Sequence, residues 1–154
     1  MRDSRWSDGV STTKDGKHFD SLAPMPYSTE HTPCVAGIDT NSIFITGLGW
    51  DYDMSYMYYK DTGEWVTLPN LPTGRYGMMC GVVRDGSGRA QVVVVGGVDV
   101  VGSYQFLNTV EIFNIEEEKW STGTSSTFNN SHEPIHAAFF LFFCSHQPVP
   151  DFNY

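Results

Sequence analysis

Four side chains late in the chain could hold a metal: His132 and His136, then Cys144 and His146. Imidazoles and a thiolate are ligands that zinc accepts. In the competing reading His136 opens a strand and the others stand on an unpatterned tail. That reading is adopted, so no metal or other cofactor is expected. Asp51 and Asp53, flanking Tyr52, could form a carboxylate pair for acid–base work or calcium. They fall in a polar loop without a third ligand nearby and read as solvated. Gly47-Leu48-Gly49 lacks the downstream glycine and helix of a phosphate loop, and no Ser/His/Asp order stands out. Cys34 and Cys80 read as packed thiols rather than as a bridge. No catalytic residue is assigned, and an enzyme is not expected.

Composition narrows the partner classes. The 154 residues are enough for one domain of ordinary size, and at 40% hydrophobic and 14% aromatic they are too apolar for disorder. A formal net charge of −9 argues against a nucleic-acid surface, which needs clustered Lys and Arg, and against an anionic membrane. Residues 1–8 show no apolar core of a secretory signal. The longest apolar run, 137–144, is too short to span a bilayer. Three cysteines, an odd number, suit a reducing compartment. A cytoplasmic location is therefore expected, with an extracellular one left open.

What must position any site is a repeat. Tyr58 stands seven residues before Trp65, Phe113 stands seven before Trp120, and the tryptophans recur 55 residues apart. A fainter copy places Phe19 at the tryptophan position, 46 residues before Trp65. A strand-built period of this length is the mark of propeller blades.

Strand signals fill each unit. Gly77 to Arg84 is a short apolar run, and Asp85-Gly86-Ser87-Gly88 a hairpin turn. Ala90 to Val95 is continuous and rich in valine, as expected of a strand buried on both faces, and Gly96-Gly97 ends it. Thr109 to Phe113 alternates, and Glu116 to Glu118 supply a charged turn before Trp120. The preceding unit reads likewise: strands at Thr32 to Ile38, Ser42 to Thr46, Tyr56 to Lys60 and Glu64 to Leu68. Met25-Pro26 aligns with Leu71-Pro72, and Cys34 with Cys80, each 46 residues on.

Gly96-Gly97, the aromatic Phe113 and Trp120, preceded by the link Leu68 to Pro72 with Arg75-Tyr76, resemble the Kelch repeat. The resemblance implies an all-β fold, a partial Kelch-type β-propeller of four-stranded antiparallel blades. Residues 1–22 would end an upstream blade, 23–68 and 69–122 would be two blades, 123–145 would begin a degenerate or truncated one, and 146–154 would be an unstructured tail. Phe19, Trp65, Gly96, Gly97, Phe113 and Trp120 are the repeat's structural residues. Kelch propellers close roughly five to seven blades of about 50 residues. This chain is therefore expected to be part of a longer array, or to self-associate through open end blades.

The resemblance further implies a protein-interaction module, and beyond that the substrate-recognition part of a cullin-type ubiquitin ligase adaptor. The alternatives are a fragment of a galactose-oxidase-like enzyme and a scaffold or actin-associated Kelch protein. The expected partner is a protein, not nucleic acid or membrane. In a four-stranded blade the second-to-third connection and the link between blades emerge on one face. Those segments carry Trp50, Asp51, Tyr52, Asp53, Arg75, Tyr76 and Tyr104, the candidate partner-binding residues, with Phe106 beside them. Asp39, Lys60, Asp61 and Glu116 to Glu118 lie on the other face as solvated turns.

Overall fold

The computed structural model describes residues 9–13, 15–27, 33–100 and 104–123, all of them strand or connection. The proposed blade start after Gly123, the tail, and the set His132, His136, Cys144 and His146 lie outside the described residues. A short ladder, Ser11–Thr12 (β1) with Asp20–Ser21 (β2), comes first. Blade 1 follows as Cys34–Gly37 (β3), Ser42–Leu48 (β4), Met54–Tyr59 (β5) and Glu64–Leu68 (β6), antiparallel neighbours in that order. After the link strand Arg75–Tyr76 (β7), Met79–Arg84 (β8) and Ala90–Val95 (β9) open blade 2. Val98–Asp99 (β10) intervenes before Val110–Asn114 (β11) and Lys119–Thr122 (β12) complete it. The sheet order is β8-β9-β11-β12.

The hairpins share one device, an Asp or Asn whose side chain accepts from the turn's backbone N–H groups. Asp39 Oδ1 accepts from Asn41 and Ser42, both at 2.7 Å, between β3 and β4. Asp85 Oδ1 accepts from Ser87 N at 2.9 Å and Arg89 N at 3.1 Å between β8 and β9. Hydrogen bonds led by that of the Ser87 hydroxyl hold the Asp85 carboxyl down to about 2. Asn114 Oδ1 accepts from Glu116 and Glu117 between β11 and β12.

Register decides which side chains meet. The rows Cys34, Thr46, Ser55, Leu68 and Ala36, Phe44, Met57, Val66 share one face of blade 1. Opposite them, blade 2 presents Cys80, Val94, Glu111, Thr122 and Val82, Val92, Phe113, Trp120. Most of these apolar side chains, with Leu71 and Met78 of the link, form one core. Phe113 is its centre: its ring lies 5.4 Å from Phe44 and 5.0 Å from Trp120. Ile45, Tyr56, Tyr58 and Trp65 occupy the other face of blade 1. Trp65 packs there on a second, smaller cluster with Met25.

Both tryptophans tie their blade to the link before it. Trp120 Nε1 donates to Pro69 O at 2.9 Å, and Trp65 Nε1 to Ala23 O at 3.3 Å. They stand on outermost strands and are half-buried. Phe19 departs from the expected pattern. It is 64% exposed, just before β2, and packs in neither core. The two-residue ladder β1–β2 offers it no neighbouring strand face like the one that receives Trp65.

The cysteines correct a second expectation, because Cys34 and Cys80 are joined as a disulfide between the blades. Aligned by residue type, the two would occupy equivalent positions and point the same way around the array. The ladders show otherwise. Cys34 pairs with Thr46 and Met79 with Val95, while Cys80 pairs with Val94. Met79, not Cys80, is thus the counterpart of Cys34. One residue along a strand reverses the side chain's direction, so Cys34 points forward, Cys80 points back, and their Cα atoms are 5.8 Å apart. That separation is ordinary for a bridge. With two of three cysteines paired, the odd count no longer argues for a reducing compartment.

Candidate functional site

The connections at one end of the two blades are knitted together by backbone hydrogen bonds. The loop 49–53 between β4 and β5 meets the inter-blade link: Leu71 N donates to Asp53 O at 2.7 Å and Arg75 N to Tyr52 O at 3.1 Å. Gly74 permits this approach, since a methyl group there would occupy the place of the Asp51 carbonyl oxygen. Across the link, β7 pairs with β10, Arg75 opposite Asp99 and Tyr76 opposite Val98. Val98 bridges to Phe106, Asp99 N donates to Gln105 O at 3.0 Å, and Leu107 N donates to Gly97 O at 2.9 Å. Loop 49–53, link 69–78 and residues 98–100 and 104–108 form one surface. Val98 reaches Tyr76 because Gly97 turns the chain at φ 95°, and a Cβ on Gly97 would crowd the Tyr76 carbonyl.

Exposed aromatics dominate this surface. Trp50 is 78% exposed, Tyr104 70% and Phe106 80%. Tyr52 and Tyr76 are half-buried, with ring centroids 5.7 Å apart. Both Tyr52 and Tyr104 have φ near 52°. That left-handed conformation costs a residue with a side chain about 1–2 kcal/mol. Asp51 is exposed, and Asp53, half-buried, accepts from Asn70 Nδ2 at 2.9 Å. The Asp53 carboxylate is thus tied to the link. Among the described residues no three metal-ligating side chains come together.

Arg75 does not belong to this surface. The sequence places it in the link beside Tyr76, but its side chain is 0% exposed. It turns inward to a polar cluster between the blades. Nε donates to Thr73 O at 3.0 Å, and Nη1 donates to Gly96 O at 3.1 Å and Thr109 Oγ1 at 3.0 Å. Nη2 pairs with Glu111 Oε1 at 2.9 Å, and that oxygen also accepts from Thr73 Oγ1 at 3.0 Å. Burial pushes the guanidinium's pKa down, while the carboxylates of Glu111 and Asp99 raise it. Glu111 and Thr73 were not singled out from the sequence. The signal was present: β11 alternates, Phe113 points inward, and so therefore does Glu111, a charge that needs a partner.

Two four-stranded antiparallel sheets packed face to face, each tied to the link before it by an outer tryptophan, are blades of a β-propeller. The fold is that of a Kelch-type propeller. The Kelch motif model matches residues 91–127, from within β9 onward. The solved structure of YjhT, a Kelch-type propeller, shares the fold with a TM-score of 0.60 at 16% identity, covering 80% of this chain. The chain spans 53% of YjhT's length, about half of that propeller. No curated protein matches the sequence.

Proposed function

We propose that this chain is a protein-interaction module that binds its partner on the surface formed by loop 49–53, the link and residues 98–100 and 104–108. One observation carries the reading: Trp50, Tyr104 and Phe106 stand exposed on connections that the backbone ties together. Aromatic side chains with few rotatable bonds supply much of the energy of protein interfaces. Connections can vary without disturbing the blades beneath them. Two tyrosines kept in a costly backbone conformation fit a surface whose shape matters.

Service as the substrate-recognition part of a cullin-type ubiquitin ligase is a narrower form of this proposal. It rests on the Kelch resemblance.

Affinity capture from lysate with the wild-type chain, Trp50→Ala, Tyr104→Ala and Glu117→Ala tests the broader reading. The aromatic variants should lose the captured proteins while keeping the wild-type circular dichroism spectrum. Glu117→Ala, in the turn at the other end of blade 2, should retain them. Equal capture by all the variants would remove this surface as the site.

A further inference from the structure

Acids lie at both ends of the blades, but among the described residues the exposed cations lie at one end. At the loop end, Asp51, Asp53 and Asp99 accompany the aromatics. Arg75 is the sole Lys or Arg among the described residues of those connections, and it is buried against Glu111. The described cations Lys17, Lys60, Arg84, Arg89 and Lys119 all lie in or beside the hairpin turns of the opposite end, interspersed with acids. Asp53 takes a hydrogen bond from a neutral amide, Asn70. The loop end thus combines exposed π faces with negative charge and shows no exposed cation among the described residues.

That combination is complementary to one kind of partner. We infer that the loop surface binds a basic peptide segment, its Lys or Arg side chains seated on the rings of Trp50 and Tyr104 and countered by Asp51 and Asp53. A cation over an indole or phenol face is attracted by the ring quadrupole, and Arg also stacks flat on it. The formal charge of −9 would steer such a segment toward the protein, and the exposed rings of Trp50 and Tyr104 would retain it at this end. The inference rests on the interaction reading above and specifies its partner.

The probe is a fluorescein-labelled arginine–serine repeat peptide, with its glutamate–serine counterpart, titrated with the full chain and followed by fluorescence anisotropy. The basic peptide should bind, the acidic one should not, and added salt should weaken binding. Trp50→Ala and Tyr104→Ala should each weaken it roughly two- to five-fold. Asp51→Asn should weaken it more than Glu117→Gln, which removes the same charge from the opposite end. Equal losses from Asp51→Asn and Glu117→Gln, or wild-type affinity in both aromatic variants, would show bulk charge alone at work and overturn the inference. If the basic peptide fails to bind while lysate capture still depends on Trp50 and Tyr104, the inference falls and the interaction reading stands.

Discussion

Arg75 and Glu111 form an ion pair in the seam between the two blades, Nη2 to Oε1 2.9 Å, with side chains 0% and 5% exposed. Arg75 belongs to the link and Glu111 to β11, so the pair fixes the link against the sheet it precedes. Its satisfaction is uneven, because Glu111 Oε2 is buried without a hydrogen-bond partner among the described residues. Arg75→Ala would strand the carboxylate and should cost about 3–5 kcal/mol. The double variant Arg75→Met with Glu111→Leu should be milder than Arg75→Ala, since it removes both desolvated charges. Urea unfolding of the single and double variants measures this. A double variant as unstable as the sum of its singles would show that the two residues act independently.

The Cys34–Cys80 bridge joins the first strands of adjacent blades and closes a sequence separation of 46 residues. In protein purified without reductant, peptide mapping should recover the Cys34 and Cys80 peptides linked, lighter by the two thiol hydrogens. Reduction should lower stability by about 2–4 kcal/mol, equivalent to roughly 4–16 °C in Tm. Cys34→Ser should lower Tm without reductant and remove the dependence on it. Free thiols at both positions in air-oxidised, folded protein would contradict the pairing.

Core position should separate two aromatics of the same repeat. Phe113 is fully buried between Phe44 and Trp120, whereas Trp120 is half-exposed on the outermost strand. Phe113→Ala should therefore cost about 3–5 kcal/mol, and Trp120→Ala an amount at or below the lower end of that range. Trp120→Phe should recover part of the packing but not the hydrogen bond to Pro69 O. Chemical denaturation ranks the three variants. A larger loss from Trp120→Ala than from Phe113→Ala would contradict this account of the core.

Much of the fold was legible because its strongest signals are local. Ala90 to Val95, a valine-rich run between turn residues, is β9 to the residue, and Glu64 to Leu68 is β6. Where the reading slipped, a long-range relation decided. Ser42 to Thr46 extends to Leu48 because a register shift between Thr46 and Leu48 carries the strand past Gly47. Cys34 and Cys80 looked equivalent by alignment, but pairing sets register, and one residue turned a same-facing pair into an opposed one. Arg75 looked like a surface residue because it sits in a connection. Its direction depends on Glu111, 36 positions along the chain, and on the pairing of β7 with β10, too short to show in two residues. The aromatic loops were visible as composition. Their joining into one surface was not, since it runs through backbone contacts that leave no sequence pattern.

The most direct measurement of the central claim is site-specific photo-crosslinking in lysate. A benzophenone amino acid would replace Tyr104 on the loop surface in one variant and Glu117 at the opposite end in another. The account predicts discrete crosslinked proteins from position 104, lost when Trp50→Ala is added, and none of them from position 117. Identical crosslinking patterns from the two positions, or crosslinks at 104 that persist unchanged with Trp50→Ala, would contradict it.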